Sequence, residues 1–288
     1  MIKIGEDYIT FEEFPNKEVL LKNHYDIIES NLIHTLDEHK GFIDSLNILF
    51  KFESNSSLFE LYLLKKEIDE VFDGIDKVRL WMMYCPYSRM DRGNSTTCFS
   101  LEYLAKFINE LNFCSVEIYE PHSDVCISLI NNSNEKWITP YLFQNFIKDC
   151  NFDPEKDGIL FPDKGAMNRY SKILDRYIPP STSIMFGEKK RDFDTGRIEG
   201  LLITPPIKKI DRCIIIDDLC SYGGTFKLAI ETLEKMGIKE IYLIIGHCES
   251  SILKGGLLGM DSLKKVFTTN SIINEENASE KLDILKVI

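Results

Sequence analysis

Hydrophobic positions along this chain fall into short unbroken runs and longer stretches spaced three and four apart, and the two alternate. Cys213, Ile214, Ile215 and Ile216 are the clearest run, the pattern of a strand buried on both faces. Asp217 and Asp218 follow where such a strand should end. Ser221, Tyr222, Gly223, Gly224 and Thr225 come next, and then an amphipathic stretch over 226–235 that closes at Met236-Gly237. The order predicts strand, loop and helix. Other runs predict strands over 47–52, 78–84, 116–119, 158–161, 183–186 and 240–245, with short ones near Lys265 and Ile284. Helical spacing appears over 58–72, 100–111, 141–147 and 167–174. In the second of these Leu101, Leu104, Ile108 and Leu111 share a face. Residues 8–14 and 18–22 read as two strands around a turn at Pro15-Asn16-Lys17. Strands alternating with helices predict an α/β fold with parallel sheets and helices on both faces. The polar stretch 131–137 marks the boundary between two halves, 1–135 and 136–288.

Composition narrows the class. At 288 residues, 44% apolar and 28% charged, the chain suits one large or two ordinary globular domains. A formal charge of −12 disfavours nucleic acid or an anionic membrane as a partner. The eight cysteines include no C-x-x-C pair, and several sit inside apolar runs, as buried free thiols of a reducing compartment do. The first residues are too acidic for a signal peptide, and no run approaches the ~18 apolar residues of a membrane span. The expectation is a cytoplasmic protein.

A strand–loop–helix with glycines presents backbone N–H groups at a helix N-terminus, where phosphate binds, and adjacent carboxylates suit sugar hydroxyls or a phosphate-bound Mg²⁺. Other expected strand ends carry chemistry too. Arg89, Asp91 and Arg92 follow the strand at 78–84, His122 and Asp124 follow 116–119, and Asp163 follows 158–161. Glu188, Lys189, Lys190 and Arg191 follow 183–186, and His247 follows 240–245. Taken singly, a lone histidine or a charge run is more often structural than functional. Cations, acids and an anion loop gathered at strand ends fit phosphoryl transfer. Neither G-x-x-x-x-G-K-[ST] nor G-x-G-x-x-G occurs, which disfavours a P-loop NTPase or a Rossmann dehydrogenase.

The segment Asp217-Asp218-Leu219-Cys220-Ser221-Tyr222-Gly223-Gly224-Thr225 resembles the phosphoribosyl-diphosphate loop of type I phosphoribosyltransferases. Further segments narrow the resemblance to ribose-phosphate pyrophosphokinases. Phe14-Pro15-Asn16-Lys17-Glu18 is similar to that family's F-x-[DN]-G-E, and the loop from Tyr87 to Arg92 to its Y-x-R-Q-D-R. Pro121-His122 falls where the family has a metal-binding histidine. Phe161-Pro162-Asp163-Lys164-Gly165-Ala166 is similar to its S-P-D-x-G segment, and Lys189-Lys190-Arg191 to its K-R-R loop.

The resemblance implies two tandem type I phosphoribosyltransferase-like domains, each a mainly parallel sheet flanked by helices, in a homo-oligomer. It implies Mg²⁺-dependent transfer of the β,γ-diphosphate of ATP to the C1 hydroxyl of ribose 5-phosphate. Phe14, Asn16 and Glu18 would hold adenine, and Arg89, Asp91 and Arg92 the ATP phosphates. His122 and Asp163 would position the metal, while Lys189 and Arg191, with His122, would be catalytic. Asp217 and Asp218 would take the ribose hydroxyls and metal, with Ser221, Tyr222, Gly223, Gly224 and Thr225 around the 5-phosphate. The chain departs from the family pattern at Ser221 and Tyr222 (usually Asp and Thr), Met90 (Gln) and Lys17 (Gly), and 93–97 lacks the family's basic residues. Tyr222 suits a longer 5-substituent, so ribose 5-phosphate and ADP-ribose, the acceptor of relatives in NAD salvage, both stand as acceptors. A non-catalytic nucleotide-binding relative and a plain phosphoribosyltransferase are the alternatives. His122 and Lys189 argue against the first, and the segments around Phe14 and Arg89 against the second.

Overall fold

A computed structural model of the chain describes residues 1–37, 41–72, 75, 77–191 and 198–287. They divide into two compact units, Met1–Lys136 and Trp137–Ile288.

In the first unit the elements run β1 (Ile2–Ile4), β2 (Asp7–Glu13), β3 (Val19–Lys22), α1 (His24–Ser30), β4 (Ile33–Asp37), β5 (Gly41–Phe50), α2 (Ser56–Val71), β6 (Lys77–Met82), α3 (Ser100–Glu110), β7 (Ser115–Tyr119), α4 (Asp124–Leu129) and β8 (Ser133–Lys136). They build one sheet in the order β3-β2-β1-β5-β6-β7-β8, with β4 paired to β5. Strands β5 to β8 are parallel and the rest are antiparallel. Alternate strand residues Leu46, Ile48, Phe50, Leu80, Met82, Val116 and Ile118 share one core with Leu61, Leu64 and Ile68 of α2 and Leu101, Leu104 and Ile108 of α3. Both helices therefore cover the same face. Each step from β5 to β8 moves the same way across the sheet, and right-handed crossovers then put every helix on one side. Among the described residues of this unit, helices on both faces, expected from the strand–helix alternation, do not occur. Asn47, Arg79, Trp81 and Glu117 line the other face and are half-buried.

The polar stretch 131–137 holds the division between the two units and is itself structured. It contributes β8, an edge strand with Asn134, Glu135 and Lys136 exposed, held by its backbone pairing with β7.

The second unit runs α5 (Thr139–Cys150), β9 (Asp157–Phe161), α6 (Lys164–Leu174), β10 (Ser183–Arg191), β11 (Ile198–Ile203), β12 (Arg212–Cys220), α7 (Gly224–Lys235), β13 (Glu240–Cys248), β14 (Leu263–Thr269) and β15 (Leu282–Leu285), with a 3₁₀ turn at Ser250–Lys254. The sheet order is β11-β10-β9-β12-β13-β14-β15, parallel except for β10–β11. This sheet is covered on both faces. Cys213, Ile215, Leu243 and Val266 pack with Phe226, Ala229, Ile230 and Leu233 of α7. Tyr242 and Phe267, on the alternate face, meet the ring of Phe146 on α5.

Three strands run past their expected ends. β12 continues through Asp217 and Asp218 to Cys220, and β10 carries its pairing with β11 through Lys189 to Arg191. β13 likewise reaches Cys248, so His247 lies within it, 1% exposed, with Nδ1 2.7 Å from Ser271 Oγ. It is a structural histidine.

The N-terminal ends of β9 and β12 are clamped by a buried ion pair. Arg212 Nε and Nη2 donate to the two oxygens of fully buried Asp157, each at 2.7 Å, and the guanidinium also reaches the carbonyls of Cys150 and Asn151 at 2.7 and 2.9 Å. Truncating one partner strands a buried charge, so Arg212→Ala is expected to destabilise the protein by about 3–5 kcal/mol, read by denaturant unfolding. An unchanged midpoint would show that the clamp is not needed.

Among the described residues no helix is long and apolar enough to cross a membrane. All eight cysteines are free.

Candidate functional site

The second sheet has a topological switch between β9 and β12. From β9 the chain proceeds to β10 on one side, and from β12 to β13 on the other. The carboxyl ends of these two strands are where an open α/β sheet offers a crevice for ligand. The β9–β12 register ends at Leu160↔Ile215, while β12 stays paired with β13 as far as Cys220↔Cys248. Asp217 and Asp218 thus stand beyond the last β9 partner, on a strand still fixed by the other neighbour.

Opposite them α6 begins. Its N-cap is Asp163, whose Oδ1 accepts from the Ala166 N–H at 3.0 Å. The helix starts three residues before its expected first residue because this cap satisfies the first turn. Less than two turns on, Arg169 reaches the acid pair: its Nη2 donates to Asp218 Oδ1 at 2.7 Å and lies 3.5 Å from Asp217 Oδ1. The Asp218 N–H donates to Asp217 Oδ1 at 2.9 Å. Burial, and then the charges of Asp218 and Asp163, push the Asp217 carboxyl well above the usual carboxylate range, with Arg169 working against them. Burial opposes the charge on Arg169, but Asp218, Tyr170, Asp217 and Asp163 hold it protonated. Arg169 was not among the residues singled out by sequence. A cation inside an amphipathic helix looks like a solvated face, and only the position of the Asp163 cap would have turned it toward the strand ends.

The loop after the acids ends in α7, whose N-cap Gly223 has φ 80° and no side-chain capping bond. The first N–H groups of this helix therefore have no side-chain cap, the condition in which a helix N-terminus can take an anion. A Cβ at Gly223 would come 2.6 Å from Leu257, so that position requires glycine for space as well as for φ. Gly255 lies so close under Tyr222 that a Cβ there would be 1.9 Å from the Tyr222 carbonyl oxygen. Ser221 Oγ lies 3.2 Å from Ser251 Oγ, which donates to Glu249 at 3.1 Å. Residues 249–257 thus brace the loop from behind. The Tyr222 ring is left 61% exposed.

Lys189 and Arg191 lie in β10, and the side chains of 189–191 are outside the described residues. Upstream of them Met167, Phe186, Leu202 and Ile203, with Asp163, Lys164 and Glu188, line an open cavity of about 640 Å³.

In the first unit, Phe14, Asn16 and Glu18 occupy the β2–β3 turn, all exposed. Asn16 Oδ1 accepts from the Glu18 N–H at 3.2 Å, and Lys17 sits at φ 73°. A positive φ explains why the resembling family motif carries glycine there. Asp91 lies in the loop after β6 and His122 in the turn between β7 and α4. Burial opposes ionisation of Asp91, but the nearby Ser123, Arg92 and the charge of His122 hold its carboxyl below the usual value. These two loops therefore meet. Arg92 Nε lies 3.2 Å from Asp91 Oδ1, and Arg89 and Arg92 are exposed.

Among the described residues no three His, Cys, Asp or Glu side chains gather into a metal cage. The donors at the switch point are the hard carboxylate oxygens of Asp163, Asp217 and Asp218. Such a set fits Mg²⁺, which is held through one or two carboxylates and substrate phosphates rather than a closed protein cage.

No family model matches the chain. It is 28% identical over 236 residues to a ribose-phosphate pyrophosphokinase of Saccharolobus solfataricus, covering 78% of this chain and 76% of that protein. With the ribose-phosphate pyrophosphokinase of Bradyrhizobium diazoefficiens the identity is 24% over 237 residues, 81% and 71% of the two chains. In structure it aligns with the phosphoribosylpyrophosphate synthetase of Mycobacterium smegmatis at a TM-score of 0.73 and 17% identity, over 97% of this chain and 86% of that one. The fold is thus two phosphoribosyltransferase-like α/β domains in tandem. In sequence the chain is similar to ribose-phosphate pyrophosphokinases over most of its length.

Proposed function

We propose that the protein is a diphosphokinase that transfers the β,γ-diphosphate of Mg-ATP to the C1 hydroxyl of a 5-phosphorylated ribose and releases AMP. The observation that carries this is the switch-point arrangement of two acids on β12 followed by the uncapped N-terminus of α7. Carboxylates accept hydrogen bonds from vicinal ribose hydroxyls, and the helix N-terminus takes the 5-phosphate one loop away. Held there, the C1 oxygen attacks the β-phosphorus of ATP. The bond from that phosphorus to the bridging oxygen of the α-phosphate breaks, AMP leaves with that oxygen, and the C1 hydroxyl proton is lost to solvent.

In this reading Phe14, Asn16 and Glu18 bind adenine, and Arg89, Asp91 and Arg92 bind phosphates. His122 and Asp163 orient the magnesium complex, and Lys189 and Arg191 neutralise charge on the transferring group. His122 and Asp163 would hold Mg²⁺, which when bound would supply positive charge to offset the phosphates' repulsion of the nucleophile. The reading extends to a cytoplasmic homo-oligomer that binds neither nucleic acid nor membrane, in line with the charge of −12.

The acceptor is either ribose 5-phosphate or ADP-ribose, and exposed Tyr222 favours giving the second a place. Its ring offers a stacking face beside the phosphate loop, where a compact hydroxyl donor is the family's usual residue. The test measures AMP release from Mg-ATP with each acceptor, in the wild type and in Tyr222→Thr. If Tyr222 selects the larger acceptor, the substitution shifts the kcat/KM ratio toward ribose 5-phosphate by roughly tenfold or more. A wild type that strongly prefers ribose 5-phosphate, with a ratio indifferent to Tyr222, sinks the ADP-ribose reading. A wild type that releases no AMP with either acceptor sinks the diphosphokinase reading.

A further inference from the structure

Two carboxylates side by side on one strand do not by themselves make an ordered sugar site. Left alone they repel, and each samples several rotamers. Here they differ. Asp218, with a side chain 5% exposed, accepts from Arg169 Nη2 at 2.7 Å, whereas Asp217, 14% exposed, is 3.5 Å from that nitrogen and receives the Asp218 N–H. Arg169 has little freedom of its own. Its side chain is 14% exposed and its guanidinium carbon lies 5.8 Å from the ring centre of Tyr170. Tyr170 is fully buried and packs edge-on against Trp137 at 5.9 Å.

We propose that Arg169 is a positioning residue of the acceptor site, which through its contact on Asp218 divides the acid pair into a held carboxylate and a presented one, Asp217, for the ribose hydroxyls. The inference rests on the proposed function, since it assigns Arg169 to the acceptor rather than to ATP. A planar guanidinium fixes the orientation of a carboxylate in a way that an ammonium does not, so lysine should replace it only in part.

The test compares wild type, Arg169→Lys and Arg169→Gln in two ways: KM for ribose 5-phosphate and for ATP, and the thermal stabilisation each ligand confers with Mg²⁺ present. Arg169→Gln is expected to raise the acceptor KM roughly 10- to 100-fold, the scale of a lost hydrogen bond to a charged group. The ATP KM should stay within about threefold, and Arg169→Lys should fall between. Ribose 5-phosphate should no longer raise the melting temperature of Arg169→Gln at concentrations that stabilise the wild type, while ATP still does.

Equal changes in both KM values would mark a merely structural role and overturn the proposal, as would an unchanged acceptor KM. If Arg169→Gln does not fold, Arg169→Lys decides: an acceptor KM like that of the wild type overturns the proposal, and a selective rise supports it. An active wild type with an unmoved acceptor KM in the variants refutes this inference alone. A wild type that forms no AMP with ribose 5-phosphate or ADP-ribose refutes the functional reading, and the inference falls with it.

Discussion

Asp217→Asn is expected to lose most of its turnover and yet to be harder to unfold than the wild type without ligand. Asp217 sits on β12 beside Asp218, and burial and neighbouring acids raise its pKa well above the usual range. For an acid raised in this way the sign is definite. Between the unfolded and folded pKa values the native state binds more protons, so stability falls as pH rises, and the whole penalty is present above the folded pKa. Asparagine removes the penalty and keeps an oxygen to accept from the Asp218 N–H. The melting temperature of Asp217→Asn should therefore exceed that of the wild type at pH 8, and the gap should narrow as pH is lowered toward 5. Its kcat/KM should fall about 10²- to 10³-fold, as when a charged group that binds substrate in the transition state is lost. A binding site that stores unfavourable charge until its ligand arrives trades stability for function in this manner. Calorimetry across that pH range checks the first part. A lower melting temperature at pH 8 would mean that Arg169 outweighs the burial and repulsion.

Lys189→Ala should produce the other large effect, a fall in kcat of about two to four orders of magnitude, with the fold intact. Its place in the fold supports this. Lys189 pairs through its backbone with Leu201 in the β10–β11 hairpin, downstream of the Phe161↔Phe186 register that aligns β10 with β9. Alanine preserves that pairing, so circular dichroism should not change, whereas a cation needed on the transferring diphosphate would be gone. AMP release at the wild-type rate from ATP and acceptor would remove Lys189 from the mechanism.

The centre of the second sheet was legible because its signals are local and strong. The run from Cys213 to Ile216, the acids, the paired glycines and the helix over 226–235 each constrain their neighbours, and α7 begins two residues before that range, at Gly224. The amphipathic face of α3 was equally plain, with Leu101, Leu104, Ile108 and Leu111 all buried. What escaped notice depends on pairing rather than pattern. β8 is mostly polar and exposed, and only its neighbour β7 makes it a strand. β10 and β12 outrun their apolar segments because adjacent strands continue to offer partners. The one-sided first sheet follows from strand order, which no local window contains. Arg169 belongs to the same class, since the Asp163 cap aims it and the contact spans 49 residues.

Mass spectrometry of the products of Mg-ATP with ribose 5-phosphate or ADP-ribose tests the central claim most directly. The account predicts AMP and an acceptor heavier by a diphosphate in equal amounts, with neither formed when acceptor or Mg²⁺ is left out. ADP with an acceptor heavier by a single phosphate, or AMP released equally without acceptor, would contradict it.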